Sequence, residues 1–219
     1  MASIFIDYDS NGDVELILEE DNNTCLDQAV QTPSSSENEK PAKYNVGPLS
    51  IKIKEVHLRA SSLKLISSSS YFQAMFEGSE FREGKELKEH GFVKIELLDS
   101  EDEPTAMMIV LGILHGNDVH QVPIELDLPM LYKVAVLVDK YQWHALVTPH
   151  AISWLDKLLN SRDLPDASGK TLLMQLWIAW LFGMKDHFKA LSRIAQQDSC
   201  HSIDLTDESI RLPTRAQSK

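Results

Sequence analysis

The chain has 219 residues, 43% of them hydrophobic, which is enough for one sizeable domain or for one domain with an appendage. Its formal charge of -12 and pI near 5.0 exclude an ordinary nucleic-acid binder, because phosphate contacts need clustered Lys and Arg. Cys25 and Cys200 form no CxxC pair, and "MASIFIDYDSNGD" lacks a basic region followed by an apolar one, so the expected compartment is intracellular, cytoplasm or nucleus.

Ile4, Ile6 and Tyr8 alternate before Asn11-Gly12, and Val14, Leu16 and Leu18 alternate after it. That pattern predicts a hairpin around a turn needing positive φ. The stretch from Asp7 to Glu15 also resembles the first nine positions of a calcium-binding EF-hand loop. Its twelfth position should be a bidentate Glu and is Leu18, so an acidic turn is the better reading. Residues 19 to 48 lose all periodicity and are rich in acid, Ser, Asn and Pro, the composition of a disordered acidic insertion. "IKIKEVHLRAS" then resumes an extended, alternating character.

Two apolar patterns flank the run Ser67 to Ser70: Leu63, Leu65 and Ile66 before it, Phe72, Met75 and Phe76 after it. Serine is a poor interior helix residue and a good N-cap, so the run should end one helix and start the next. Phosphorylation of an exposed serine is the competing reading. "FVKIELLD" predicts a strand with Val93, Ile95 and Leu97 on one face. The carboxylates of "SEDEP" suit the start of a helix through Met107, Met108, Val110, Leu111 and Leu114, ending near Gly116, and are expected to be solvated.

Further helices are predicted through Leu131 to Tyr141 and Val147 to Leu158, then at about 171 to 183 and 186 to 197. "LLMQLWIAWLFGM", residues 172 to 184, falls short of the about 20 apolar residues of a membrane span and is interrupted by Gln175. A helix apolar all round is buried, and burial against the helix that follows is favoured over an interface. Strands early and helices thereafter make an α+β chain.

In this order the residues resemble a BTB/POZ domain. Asp13-Val14-Glu15-Leu16 matches the family's first strand, and Leu65, Ser69 and Phe72 match its Leu, Ser and aromatic positions. "VKIELLDSEDEPTAMMIVLGILHG" matches the strand and helix that follow, and "LYKVAVLVDKYQW" a later helix with Asp139, Lys140 and Tyr141 in register. The remaining helices are similar to the tail of short BTB proteins of filamentous fungi. Departures are Ser62 at the usual His, Arg59 near the preceding aromatic position, Met107 or Met108 where an aromatic is usual, and His115 near the usual Tyr.

The resemblance implies a BTB/POZ-like domain over residues 1–158, a helical extension over 159–198 and a flexible tail over 199–219. It implies a non-enzymatic module for self-association or partner recruitment, needing no cofactor, metal, nucleic acid or membrane. A substrate adaptor of a cullin-based ubiquitin ligase is the alternative within the family, and a calcium-binding protein or small hydrolase the alternative outside it. His115, Trp154, Trp177 and Trp180 are the candidate interaction face. The short N-terminal segment leaves little surface for an obligate dimer interface of about 2,000 Å² or more, so a monomer or weak dimer is expected.

Gly169-Lys170-Thr171 resembles the end of a phosphate-binding loop, but Leu164 stands where that motif needs a glycine. His115 and His120, or His144 and His150, lack the i, i+4 spacing of a helical metal pair. No GxSxG or HExxH motif is present.

Overall fold

Alternation of period two builds the first layer. Val14, Leu16 and Leu18 of β2 (Val14–Glu19) are buried, as are Val56, Leu58 and Ala60 of β3 (Ile53–Ala60) and Val93, Ile95 and Leu97 of β4 (Val93–Leu97). With β1 (Ala2–Asp7) they form a four-stranded sheet in the order β1-β3-β2-β4. The structure is a computed structural model and describes residues 2–19, 53–78, 80–99, 101–116, 122–160 and 169–198. The predicted insertion from residue 20 onward, the tail from 199, Cys25, His120 and Cys200 lie outside those residues.

The expected hairpin does not form. β1 pairs with β3 in parallel, β2 pairs with β3 antiparallel, and β3 separates the two strands that the turn joins. The chain does turn locally, with the Asn11 N–H donating to Asp9 Oδ1 (3.0 Å) and the Gly12 N–H to the Asp9 carbonyl (2.8 Å). Neither residue takes a positive φ. Gly12 is required by proximity instead, since a Cβ there would meet the Ala60 carbonyl oxygen at 2.7 Å. Long-range register wins because it places Val14 opposite Ala60, Leu16 opposite Leu58 and Leu18 opposite Val56, all on the buried face.

Helices cover that face, and α1 (Ser62–Ser68) and α2 (Ser70–Glu77) are separated by Ser69 alone. Phe72, Met75 and Phe76 are buried as their spacing predicts. In α1 only Leu65 of the expected apolar stripe is fully buried, and Leu63 is 75% exposed, so that stripe is narrower than the sequence suggests. The charged helix α3 (Arg82–His90) has no apolar stripe to announce it. It is placed by Gly84, where a Cβ would come within 2.6 Å of the Met75 carbonyl oxygen, and it ends at Gly91 in the left-handed region.

Next come α4 (Pro104–His115) and α5 (Leu128–Tyr141), each with a carboxylate at its N-cap. Glu103 accepts from the Ala106 N–H (2.6 Å) and Asp127 from the Met130 N–H (2.8 Å), and proline follows both caps in the first turn. Among the described residues α6 (His144–Asn160), α7 (Gly169–Leu181) and α8 (Lys185–Asp198) complete an α+β arrangement. α7 packs against both α5 and α8, with the Trp177 ring centroid 5.1 Å from that of Tyr132. Leu172, Trp177, Ile178 and Ala179 of this helix are buried within the chain as its apolar composition predicts, while Trp180 is not. No helix of the described residues is long and apolar enough to cross a membrane.

Candidate functional site

Ser69 is extended, with φ -139° and ψ 119°, so it closes α1 and opens α2 in a single residue. Its Oγ accepts from the Phe72 N–H (3.1 Å) and donates to the Tyr141 carbonyl at the end of α5 (2.6 Å). The second bond is what spacing alone does not reveal: the helix break is also the anchor of a helix seventy residues away. Phe72 stacks on Tyr141 and Trp143, both at 5.4 Å between centroids, and Trp143 donates its indole N–H to Ser68 Oγ (3.2 Å). Ser69, Phe72 and Tyr141 therefore meet in one buried cluster.

Around that cluster lies a polar clamp. Tyr141 Oη donates to Asp102 Oδ1 (2.7 Å), while Lys140 Nζ reaches Asp102 Oδ2 and Asp99 Oδ2, each at 2.8 Å. Asp102 is 4% exposed, which corrects the expectation of a solvated helix start. A buried carboxylate persists because both oxygens are satisfied, one by a cation and one by a hydroxyl. Burial pushes the Tyr141 phenol well up, and the Asp102 charge adds to it, so this hydroxyl stays a donor. Burial alone would lower the Lys140 ammonium, but its bonds to Asp102 and Asp99 outweigh that and raise it. Asp139 turns to the rim, 3.7 Å from His144, where both side chains are well exposed and the pair is worth little.

The sheet meets the helices through Asp13. Its Oδ1 accepts from the Ser62 N–H (2.7 Å) and its Oδ2 from Ser62 Oγ (2.6 Å), tying the start of β2 to the start of α1. Ser62 is thus the partner of both Asp13 carboxylate oxygens. Val14 and Leu65 are core residues. Glu15, on the open face of the sheet, accepts from His57 Nδ1 (2.7 Å) and from Lys94 (3.2 Å). Burial pushes the Glu15 carboxyl up, yet those two bonds and charges hold it below its ordinary value.

Three of the four residues expected to form an interaction face are buried. His115 is held between α4 and α1, Trp154 donates its indole N–H to the Pro123 carbonyl (2.8 Å), and Trp177 packs on Tyr132 with its own N–H lacking a hydrogen-bond partner among the described residues. Trp180 stays 48% exposed on α7, with Phe188 and Ile194 of α8 also exposed. Of the four positions, Trp180 is therefore the one that stays exposed.

Asp9 and Asp13 of the calcium-like stretch already accept bonds from the protein, and Gly169-Lys170-Thr171 opens α7 rather than a phosphate loop. No group of three or more His, Cys, Asp or Glu among the described residues is arranged to hold a metal ion. No protein-family model matches the chain, and no curated protein matches it.

Proposed function

We propose that the chain is a BTB/POZ-like interaction module, working by surface burial rather than by chemistry. Support for the family reading comes from the ordered series of Asp13, Val14, Leu65, Ser69, Phe72, Asp139, Lys140 and Tyr141. Most of these residues lie in the contacts that join α1, α2 and α5 and that tie α1 to the start of β2. The interaction reading rests on one observation: Trp180 is half exposed on a helix whose other side is fixed against α5 and α8. An indole on a rigid support loses little conformational freedom on binding, and tryptophan is enriched among the residues that dominate interface energies. The occupant is another protein or a second copy of this chain in a weak dimer; a cullin is the alternative that the family suggests.

Sedimentation across a concentration series and pull-down from the native cell test the proposal with two variants. Trp180→Ala should lose association or recruitment while melting as the wild type does. Trp177→Ala should instead lower the melting temperature, because it empties a core position. A Trp180→Ala protein that associates and recruits like the wild type overturns the assignment of this face.

A further inference from the structure

Both ring nitrogens of His115 are committed. Nδ1 lies 3.0 Å from the Leu111 carbonyl, which only accepts, so Nδ1 carries the proton. Nε2 lies 3.2 Å from the Ser61 backbone nitrogen, which only donates, so Nε2 is an acceptor. A single neutral tautomer satisfies both bonds. Ser61 is the N-cap residue of α1, yet its side chain makes no capping bond. The joint between β3 and α1 is held from outside, by His115 on the Ser61 N–H and by Asp13 on the Ser62 N–H and hydroxyl.

We propose that His115 is a proton-operated latch on this joint, closed when its ring is neutral and opened when Nε2 takes a proton. A protonated Nε2 is a donor facing a donor, so the bond to Ser61 cannot survive protonation. The neighbours on each side set the threshold. From α1, Lys64 donates to the His115 carbonyl at 3.3 Å and opposes a second positive charge. From the turn after β1, Asp9 favours that charge. Tyr8 lays its ring 5.6 Å away and donates its hydroxyl to the Met108 carbonyl, while Asp13 is occupied by Ser62. Burial, with Lys64, outweighs the Leu111 bond and Asp9, and the imidazole titrates below its ordinary value.

The sign follows from that depression. The latch contributes fully above the ordinary histidine pKa of about 6.5 and is lost as pH falls through the lower folded value. Opening frees the Ser61 N–H at the joint between β3 and α1, while the Asp13–Ser62 bonds and the Leu65 N–H bond to the Ser61 carbonyl remain. The outcome is a local change at one joint rather than general unfolding.

Nitrogen NMR of His115 and amide exchange at Ser61, both on the full chain and followed from neutral to mildly acidic pH, test this. The expected result at neutral pH is a proton on Nδ1. On acidification, Ser61 protection should fall roughly tenfold as His115 titrates, after correction for intrinsic exchange, while Leu58 in the sheet keeps its protection. His115→Gln, which offers an acceptor that does not titrate, should make Ser61 protection flat with pH. A neutral ring protonated on Nε2 overturns the proposal, as does Ser61 protection that ignores the titration. Parallel loss at Leu58, or an acid step that survives in His115→Gln, also overturns it. Should that variant fail to fold, the wild-type titration decides alone.

Discussion

Replacing Ser69 by alanine removes one hydroxyl and two bonds. The first is the cap to the Phe72 N–H, and losing a serine cap costs about 0.5–2 kcal/mol. The second is the donor to the Tyr141 carbonyl, a buried end-of-helix acceptor, and orphaning such a group costs about 1–3 kcal/mol. Because one side chain makes both bonds the two do not simply add, and a loss of about 2–4 kcal/mol is expected. Ser69→Gly loses the same two bonds, but glycine at an N-cap costs only a few tenths of a kcal/mol, so it should fall between wild type and Ser69→Ala, with the Tyr141 bond as its main loss. Ser67→Ala is the control, since Ser67 is exposed and its hydroxyl only reaches back to the Lys64 carbonyl. Urea unfolding with a shared m-value gives all three differences. A Ser69→Ala loss no larger than that of Ser67→Ala would refute the idea that one serine ties α1 and α2 to α5.

Tyr141→Phe should cost about 1.5–3 kcal/mol in the same assay, the range for a hydrogen bond to a charged group, because Asp102 stays buried with one oxygen unpaired. Gly84→Ala should lower the melting temperature despite alanine's better helix propensity, since its Cβ would sit 2.6 Å from the Met75 carbonyl oxygen; a rise would show that α3 is not held by close approach. Replacing residues 20 to 52 by a short turn should change the melting temperature little, because Glu19 and Glu55 already lie opposite each other across the β2–β3 pair. Loss of cooperative unfolding in that variant would mean that the deleted segment contributes packing.

Local chemistry was legible wherever it acts locally. Ser69 as a cap, Phe72, Met75 and Phe76 as a buried stripe, and Gly116 as the end of α4 follow from spacing and backbone preference. Residues whose partners come from far along the chain were not readable. β1 and β2 look like a hairpin because alternation says which face is buried but not which strand lies alongside. Asp102 looks like one of the three solvated acids of "SEDEP" until Tyr141 and Lys140 arrive from α5. His115 and Trp154 look free for a partner until Ser61 and Pro123 satisfy them within the chain. α3 has charge where a buried helix would have a stripe, and only the contact at Gly84 betrays it.

The order of strands in the sheet has a consequence for the growing polypeptide. β1 leaves the ribosome before the other strands of the sheet, yet the strand it pairs with is β3, whose last residue is Ala60. During synthesis, which adds roughly 5–20 residues per second, the first strand must wait seconds with its edges unpaired. β2 waits as well, because β3 pairs with each of them and lies between them. Both strands therefore depend on the completion of β3, and a chaperone acting on the nascent protein would find unpaired strand at residues 2–7 and 14–19 until then.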